Sequence, residues 1–253
     1  MSKLLKYQFR QNATSLLGAL SILILIQLSL LLYTPGGEQA KAYTIMISVI
    51  SYAAVCILIF VECIRGFYQS LKLPSRRLLP LGPLAYMAAS LIYGLISQSV
   101  LGLIALAQAA LIKHRLPHHL LHDAIASFGI GDYLAAAITG LWMFVFYCMV
   151  AYFLVTFLFS FRFKGKIPVV IIAFTLLQNV PSLIEQELFH TPVTKMTQYF
   201  SFKLYESDGA GSLTVPVNFP LKEWFMGPVL FELAIVLVLL GVTLWLMKHK
   251  VEN

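Results

Sequence analysis

Glu232 is the only acid well inside a long apolar stretch of this chain. A carboxyl placed in hydrocarbon is costly, and it is the kind of group that carries a proton or a cation. Glu62 sits near the end of another apolar stretch, but Arg65 follows three residues later, so a local ion pair accounts for it. Gln27, Gln98, Gln108, Gln178 and Asn179 are uncharged polar groups within apolar runs. Such amides either line a polar path or bond to neighbouring helices, and for any one of them the second is the commoner role. His114, His118, His119 and His122 precede Asp123. On a helix His118 and His122 would share a face, as metal ligands require. Only His190 and His249 remain elsewhere, so a solvated loop is the better account and no metal site is assigned. Ser90, Gly94 and Ser97 make a small-residue face that allows close helix contact. No GxxxxGKS or GxxxxGKT loop, no HExxH and no GxSxG occurs, so the chain is read as neither an ATPase nor a hydrolase, with no cofactor of its own.

The elements that must position these residues follow from composition. Hydrophobic residues make up 59% of the 253 and charged residues only 11%, against about 25% charged in a soluble domain. About 20 predominantly apolar residues cross a bilayer. Six stretches meet that test, at roughly 15–34, 43–64, 84–112, 133–161, 167–184 and 226–247. The runs are continuous, not alternating, so the expected fold is an all-α polytopic membrane protein of six helices. The third and fourth stretches are long enough to tilt or to contain a re-entrant piece. Pro181, after Gln178 and Asn179, marks a break or kink in the fifth.

Charge orients the chain. With the N-terminus inside, Lys3, Lys6, Arg10, Arg65, Lys72, Arg76, Arg77, Arg162, Lys164, Lys166, Lys248 and Lys250 are cytoplasmic. Lys41, Lys113, Arg115, Lys195, Lys203 and Lys222 are outside. This asymmetry places both termini inside. The net charge of +7 is then a topology signal and an attraction to anionic headgroups, not a sign of nucleic acid. Cys56, Cys63 and Cys148 all fall within apolar stretches, where reduced, packed thiols are the expectation.

Residues 1–13 place Lys3, Lys6 and Arg10 on one side and Leu5 and Phe9 on another, as in an interfacial helix, although an ordinary basic flank would look the same. The cytoplasmic connection RGFYQSLKLPSRRLLPLGP, from Arg65 to Pro83, mixes aromatics, basic residues and three prolines. Residues 66–73 have the makings of a short helix ending at Pro74. A stiff, basic, partly apolar segment suits docking to another protein, with a lipid-facing connector as the plain alternative. Residues 185–225 are the longest outer segment, expected to form a small extracellular cap. From Trp142 to Phe163 aromatics fall all round a helix, which fits lipid contact and packing.

LLKYQFRQNATSLLG at 4–18 and LKLPSRRLLPLGPLAYMAASLIYGL at 71–95 resemble the permease subunits of bacterial type-2 ABC exporters. Those chains often open on a basic helix of this kind and carry an LPxSR-like turn after the second span, here Leu73-Pro74-Ser75-Arg76-Arg77. The likeness covers the whole chain as architecture and about 40 residues as motif. It implies a single transmembrane domain over 1–253 that works as a permease dimer, most simply a homodimer, bound to two copies of a cytoplasmic ABC ATPase that carries the ATP and magnesium. It further implies a coupling helix at 66–77, with Phe67, Tyr68, Leu71, Lys72, Leu73, Pro74, Arg76 and Arg77 on the ATPase, and an elbow helix at 1–13. Spans one, two and five would line the path, which points to Gln27, Gln178 and Asn179. The implied setting is the bacterial cytoplasmic membrane, among its lipids, and the implied cargo is a toxic peptide, bacteriocin or hydrophobic antibiotic. The alternatives are an ion-coupled carrier using Glu232 and a non-catalytic immunity or assembly factor.

Overall fold

The computed structural model describes residues 2–32, 38–72, 82–115, 130–160, 166–189 and 226–251. Among the described residues every regular element is helical and there is no strand. The helices are α1 (Ser2–Leu32), α2 (Glu38–Lys72), α3 (Pro83–Arg115), α4 (Ile130–Ser160), α5 (Lys166–Phe189) and α6 (Met226–Leu246), and α6 continues into π-helical turns over Met247–Val251. In lipid a helix satisfies its own backbone donors and acceptors, which is why apolar runs of this length take that form. Pro83 opens α3 at a position where a missing N–H costs nothing, and the Ala85 amide donates to the Gly82 carbonyl at 2.9 Å to close the first turn.

Five helical segments are long and apolar enough to cross a membrane: Leu4–Leu32, Met46–Lys72, Leu84–Ile112, Ala136–Ser160 and Leu230–His249. This is the build of a multi-pass membrane protein. In α5 the apolar part is shorter, Ile171–Pro181.

Several expectations change. α3 and α4 are unbroken helices of 33 and 31 residues, so neither contains a re-entrant piece. α5 runs through Pro181 without ending there. Residues 66–72 are not a separate short helix but the last two turns of α2. The N-terminal residues from Ser2 onward are likewise the first turns of α1, with no break before the apolar run. The reason is packing. Leu4 is buried with Tyr86 and Ala89, Phe9 meets Tyr93 edge-on at 4.9 Å between centroids, and Gln11 donates to Gln69 at 2.7 Å. These contacts hold the first turns against α2 and α3. The expected external cap lies mostly outside the described residues, as do the histidines at 118, 119 and 122.

The core is built from one stripe of each helix. On α2 the buried residues Val55, Ile59, Cys63, Phe67 and Leu71 recur every fourth position, forming one ridge along the helix. Against it pack Leu16, Leu20 and Leu23 of α1, Met87 and Leu101 of α3, Phe144, Cys148, Met149 and Tyr152 of α4, and Val236 of α6. The opposite faces are greasy and exposed, with Leu25 at 66% and Leu32 at 85%. Such faces suit acyl chains, where apolar exposure carries no penalty.

The close approach of α3 depends on Gly94. A Cβ there would lie 2.7 and 2.8 Å from Phe144 ring carbons and 2.9 Å from the Cys63 sulfur. Ser90 and Ser97 on the same face are 0% and 1% exposed. The small-residue face therefore does bring helices together, as its spacing predicts.

Candidate functional site: a polar seam along the second helix

Polar side chains of α2 meet partners from α1 and α3 along most of the helix. At one end, Gln27 of α1 is the hub of a network. Its Nε2 donates to Ser51 Oγ at 2.7 Å and lies 3.4 Å from the Ser48 carbonyl. Its Oε1 accepts from Ser48 Oγ at 3.0 Å and from Gln108 Nε2 at 2.9 Å. Tyr52 completes the group by donating to Gln108 Oε1 at 2.5 Å. Three helices are thus tied by one amide that is only 4% exposed. All of its polar atoms are engaged, so here Gln27 acts as a clamp between helices.

Further along α2, Gln98 lies against Cys56. Glu62 follows, 7% exposed, and its Oε2 accepts from the Tyr93 hydroxyl at 2.8 Å. The spacing pointed to Arg65 as the partner; that pair is not formed, because Arg65 faces outward while Glu62 turns into the α3 interface. One turn on, Gly66 leaves room for the Gln8 amide, whose Nε2 would be 3.3 Å from a Cβ at that position. Gln8 is 4% exposed and its Oε1 is buried without a hydrogen-bond partner. Gln69 ends the series at Gln11. As α2 advances from Tyr52 to Cys63 its partners on α3 retreat from Gln108 to Ser90, the register of an antiparallel pair. From Ser48 to Gln69 the seam runs about 30 Å at 1.5 Å per residue, the thickness of a hydrocarbon core.

A second cluster joins α2, α3 and α4. The Ser90 hydroxyl donates to the Cys63 carbonyl at 2.6 Å. Cys63 Sγ lies 3.1 Å from the Ser90 carbonyl and 2.9 Å from Tyr152 Oη. Glu232 of α6 is placed away from the seam, accepting from the Trp142 indole N–H of α4 at 2.6 Å. Asn179, on α5, is exposed and its amide donates back to the Thr175 carbonyl at 2.8 Å. α5 packs on α4 and α6, so within the chain Asn179 does not join Gln27. Nothing is described of the Gln178 side chain.

The residues expected to couple to an ATPase divide. Phe67 and Leu71 are core residues, at 0% and 5% exposure, and the Phe67 ring packs at a tilt against Tyr152, 4.4 Å between centroids. Tyr68 and Lys72 face out, with Tyr68 beside Phe159 at 5.3 Å. Leu73, Pro74, Arg76 and Arg77 lie outside the described residues. Sequence reasoning did not find Ser48, Ser51, Tyr93 and Tyr152, whose roles come from which helix stands opposite; nor did it find Gln8, whose only signal was an amide in a basic flank.

The chain matches no protein-family model, no curated protein and no solved structure, so its function is argued from its own residues.

Proposed function

We propose that this chain is the membrane-spanning permease subunit of an ATP-driven exporter in the bacterial cytoplasmic membrane. It works as a dimer on two copies of a separate ATPase chain and moves amphipathic or hydrophobic substrates such as toxic peptides or antibiotics. In this reading α5 is the sixth span, both termini are cytoplasmic, and the basic first turns of α1, with Lys6 and Arg10 exposed, take the elbow's place at the inner headgroups.

The observation that carries the proposal is the construction of the end of α2. Its last turns present Tyr68 and Lys72 outward while Phe67 and Leu71 anchor in the core. The sequence then continues into the basic segment Leu73-Pro74-Ser75-Arg76-Arg77. A push on the exposed residues is delivered through rigid helix to Tyr152 by Phe67 and to α1 by Gln69. A lipid-facing connector has no need of such anchoring. Polar side chains able to face a cargo are those of the seam, and they become available when α2 slides against α1 and α3.

The test is co-purification. Tagged protein expressed with its neighbouring genes should carry along an ATPase containing a phosphate-binding loop, and Arg76→Glu with Arg77→Glu should remove it while the permease still elutes as a folded species. Unchanged assembly in that variant refutes the coupling assignment. Transport that needs no ATP but is lost in Glu232→Gln would instead establish an ion-coupled carrier.

A further inference from the structure

Glu232 of α6 and Trp142 of α4 take no part in the polar seam. The indole N–H donates to Glu232 Oε2 at 2.6 Å, and both residues are half-buried. The second carboxylate oxygen has no partner among the described residues. It is not sealed in either, since the buried side-chain oxygens without a partner are those of Gln8 and Gln98. We propose that this pair is a recognition site, open to the lipid, for amphiphiles that carry a positive charge. The proposal names the cargo of the exporter described above and rests on that reading for its biological role, but not for the binding itself.

The helices around Glu232 give it no counter-charge. α4 and α5 are the helices that pack chiefly on α6. α4 holds no Lys or Arg, the only base of α5 is Lys166 at its first residue, and Lys248 and Lys250 lie about four turns beyond Glu232 at 3.6 residues per turn. A carboxylate in hydrocarbon without a cation is costly, and a cationic ligand supplies the missing charge. The hydrogen bond to Glu232 is made in the plane of the indole, so it leaves the ring faces clear to attract the same cation. Leu134 and Ile138 of α4 and Leu230 and Leu233 of α6 are exposed around the pair, an apolar surface for the ligand's hydrophobic body. A hydrophobic anion would fit that surface but be repelled by the carboxylate. Glu232 stands two residues inside the span Leu230–His249, and Trp142 six residues inside Ala136–Ser160. In the orientation proposed above this is the outer leaflet, which a toxic peptide arriving from outside enters first. The seam opens only when α2 slides, whereas this pair is reachable without movement of a helix.

The experiment uses the full-length chain in detergent, without an ATPase, with Trp224→Phe and Trp245→Phe leaving Trp142 as the one tryptophan. Tetraphenylphosphonium should quench its fluorescence saturably, with one site per chain, and tetraphenylborate, of the same shape and opposite charge, should not. Glu232→Gln still accepts from the indole, so it removes the charge and keeps the contact; it should weaken binding at least about 10-fold, as loss of one partner of a charge pair does. Trp142→Leu, followed by equilibrium dialysis, should weaken it about 3–30-fold through loss of the ring face. Undiminished binding in Glu232→Gln overturns the site, as does saturable binding of the borate with equal affinity. If the variants fail to fold, equilibrium dialysis of each ion separately against the unmodified protein decides, since the preference for the cation is read without any substitution. Failure of these tests leaves the export reading standing, and failure to recover an ATPase leaves the site standing.

Discussion

Replacing Gly94 by alanine adds one methyl group at the tightest point of the helix packing. That carbon would stand 2.7 Å from Phe144 Cζ, 2.8 Å from Cε1 and 2.9 Å from Cys63 Sγ. The obstacles belong to α4 and α2, so α3 relieves both only by withdrawing from two neighbours. Phe144 is 6% exposed and its ring abuts Phe60 edge-on at 6.3 Å, which limits how far it swings. Overpacking of this kind costs about 1–3 kcal/mol, and a cost of about 2 kcal/mol raises the unfolding constant about 30-fold. Gly102, two turns on in the same helix, is the control, because a Cβ there meets nothing within 4 Å. Gly102→Ala should stabilise by about 0.5–1 kcal/mol through helix propensity alone. The assay is reversible unfolding in mixed micelles with sodium dodecyl sulfate as denaturant, followed by circular dichroism. Phe144→Leu in the Gly94→Ala background removes the clashing ring edge and should recover about 1 kcal/mol as a coupling energy. If Gly94→Ala is as stable as Gly102→Ala, or if Phe144→Leu recovers nothing, the packing argument is wrong.

Gln27→Leu leaves Gln108 Nε2 and the Ser48 hydroxyl without their acceptor and should cost about 1–2 kcal/mol in the same assay; an unchanged midpoint would show that the network adds nothing. Tyr93→Phe takes the donor from buried Glu62 and should destabilise by about 1–3 kcal/mol, whereas Gln8→Met removes an oxygen that has no partner and should be neutral or stabilising. A large loss of stability in Gln8→Met would reveal a partner for that oxygen and contradict the description of the Gln8 site.

The six helices were legible because each apolar run is continuous rather than alternating, which among the backbones that satisfy themselves in lipid fits a helix and not a closed barrel. Their ends were less so. Arg65 and the basic N-terminal flank read as places where the membrane stops, yet α1 and α2 continue as helix because Gln11 meets Gln69 and Leu4 is buried with Tyr86 and Ala89. Local sequence does not record such long-range support. Pro181 shows the same limit from the other side, since a proline that breaks a helix by rule is carried within α5. At the candidate site Gln27, Gln98, Gln108 and Glu62 were visible one by one as costly groups. Their pairing was not, because Glu62 has a cation three residues away in sequence and its actual donor on another helix. The small-residue face at Ser90, Gly94 and Ser97 was readable in full, since its meaning is steric and needs no knowledge of the partner.

The seam also constrains how the protein is made. A second helix released alone into lipid would carry Tyr52 and Glu62 without their partners on the third, and unpaired polar groups are costly in hydrocarbon. Gln27 on the first helix meets Ser48 and Ser51, but the second donor to its oxygen is Gln108, which is synthesised 81 residues later. The first two helices are therefore an unfinished pair until the third is present. Biogenesis of this chain should proceed by the release of three helices together.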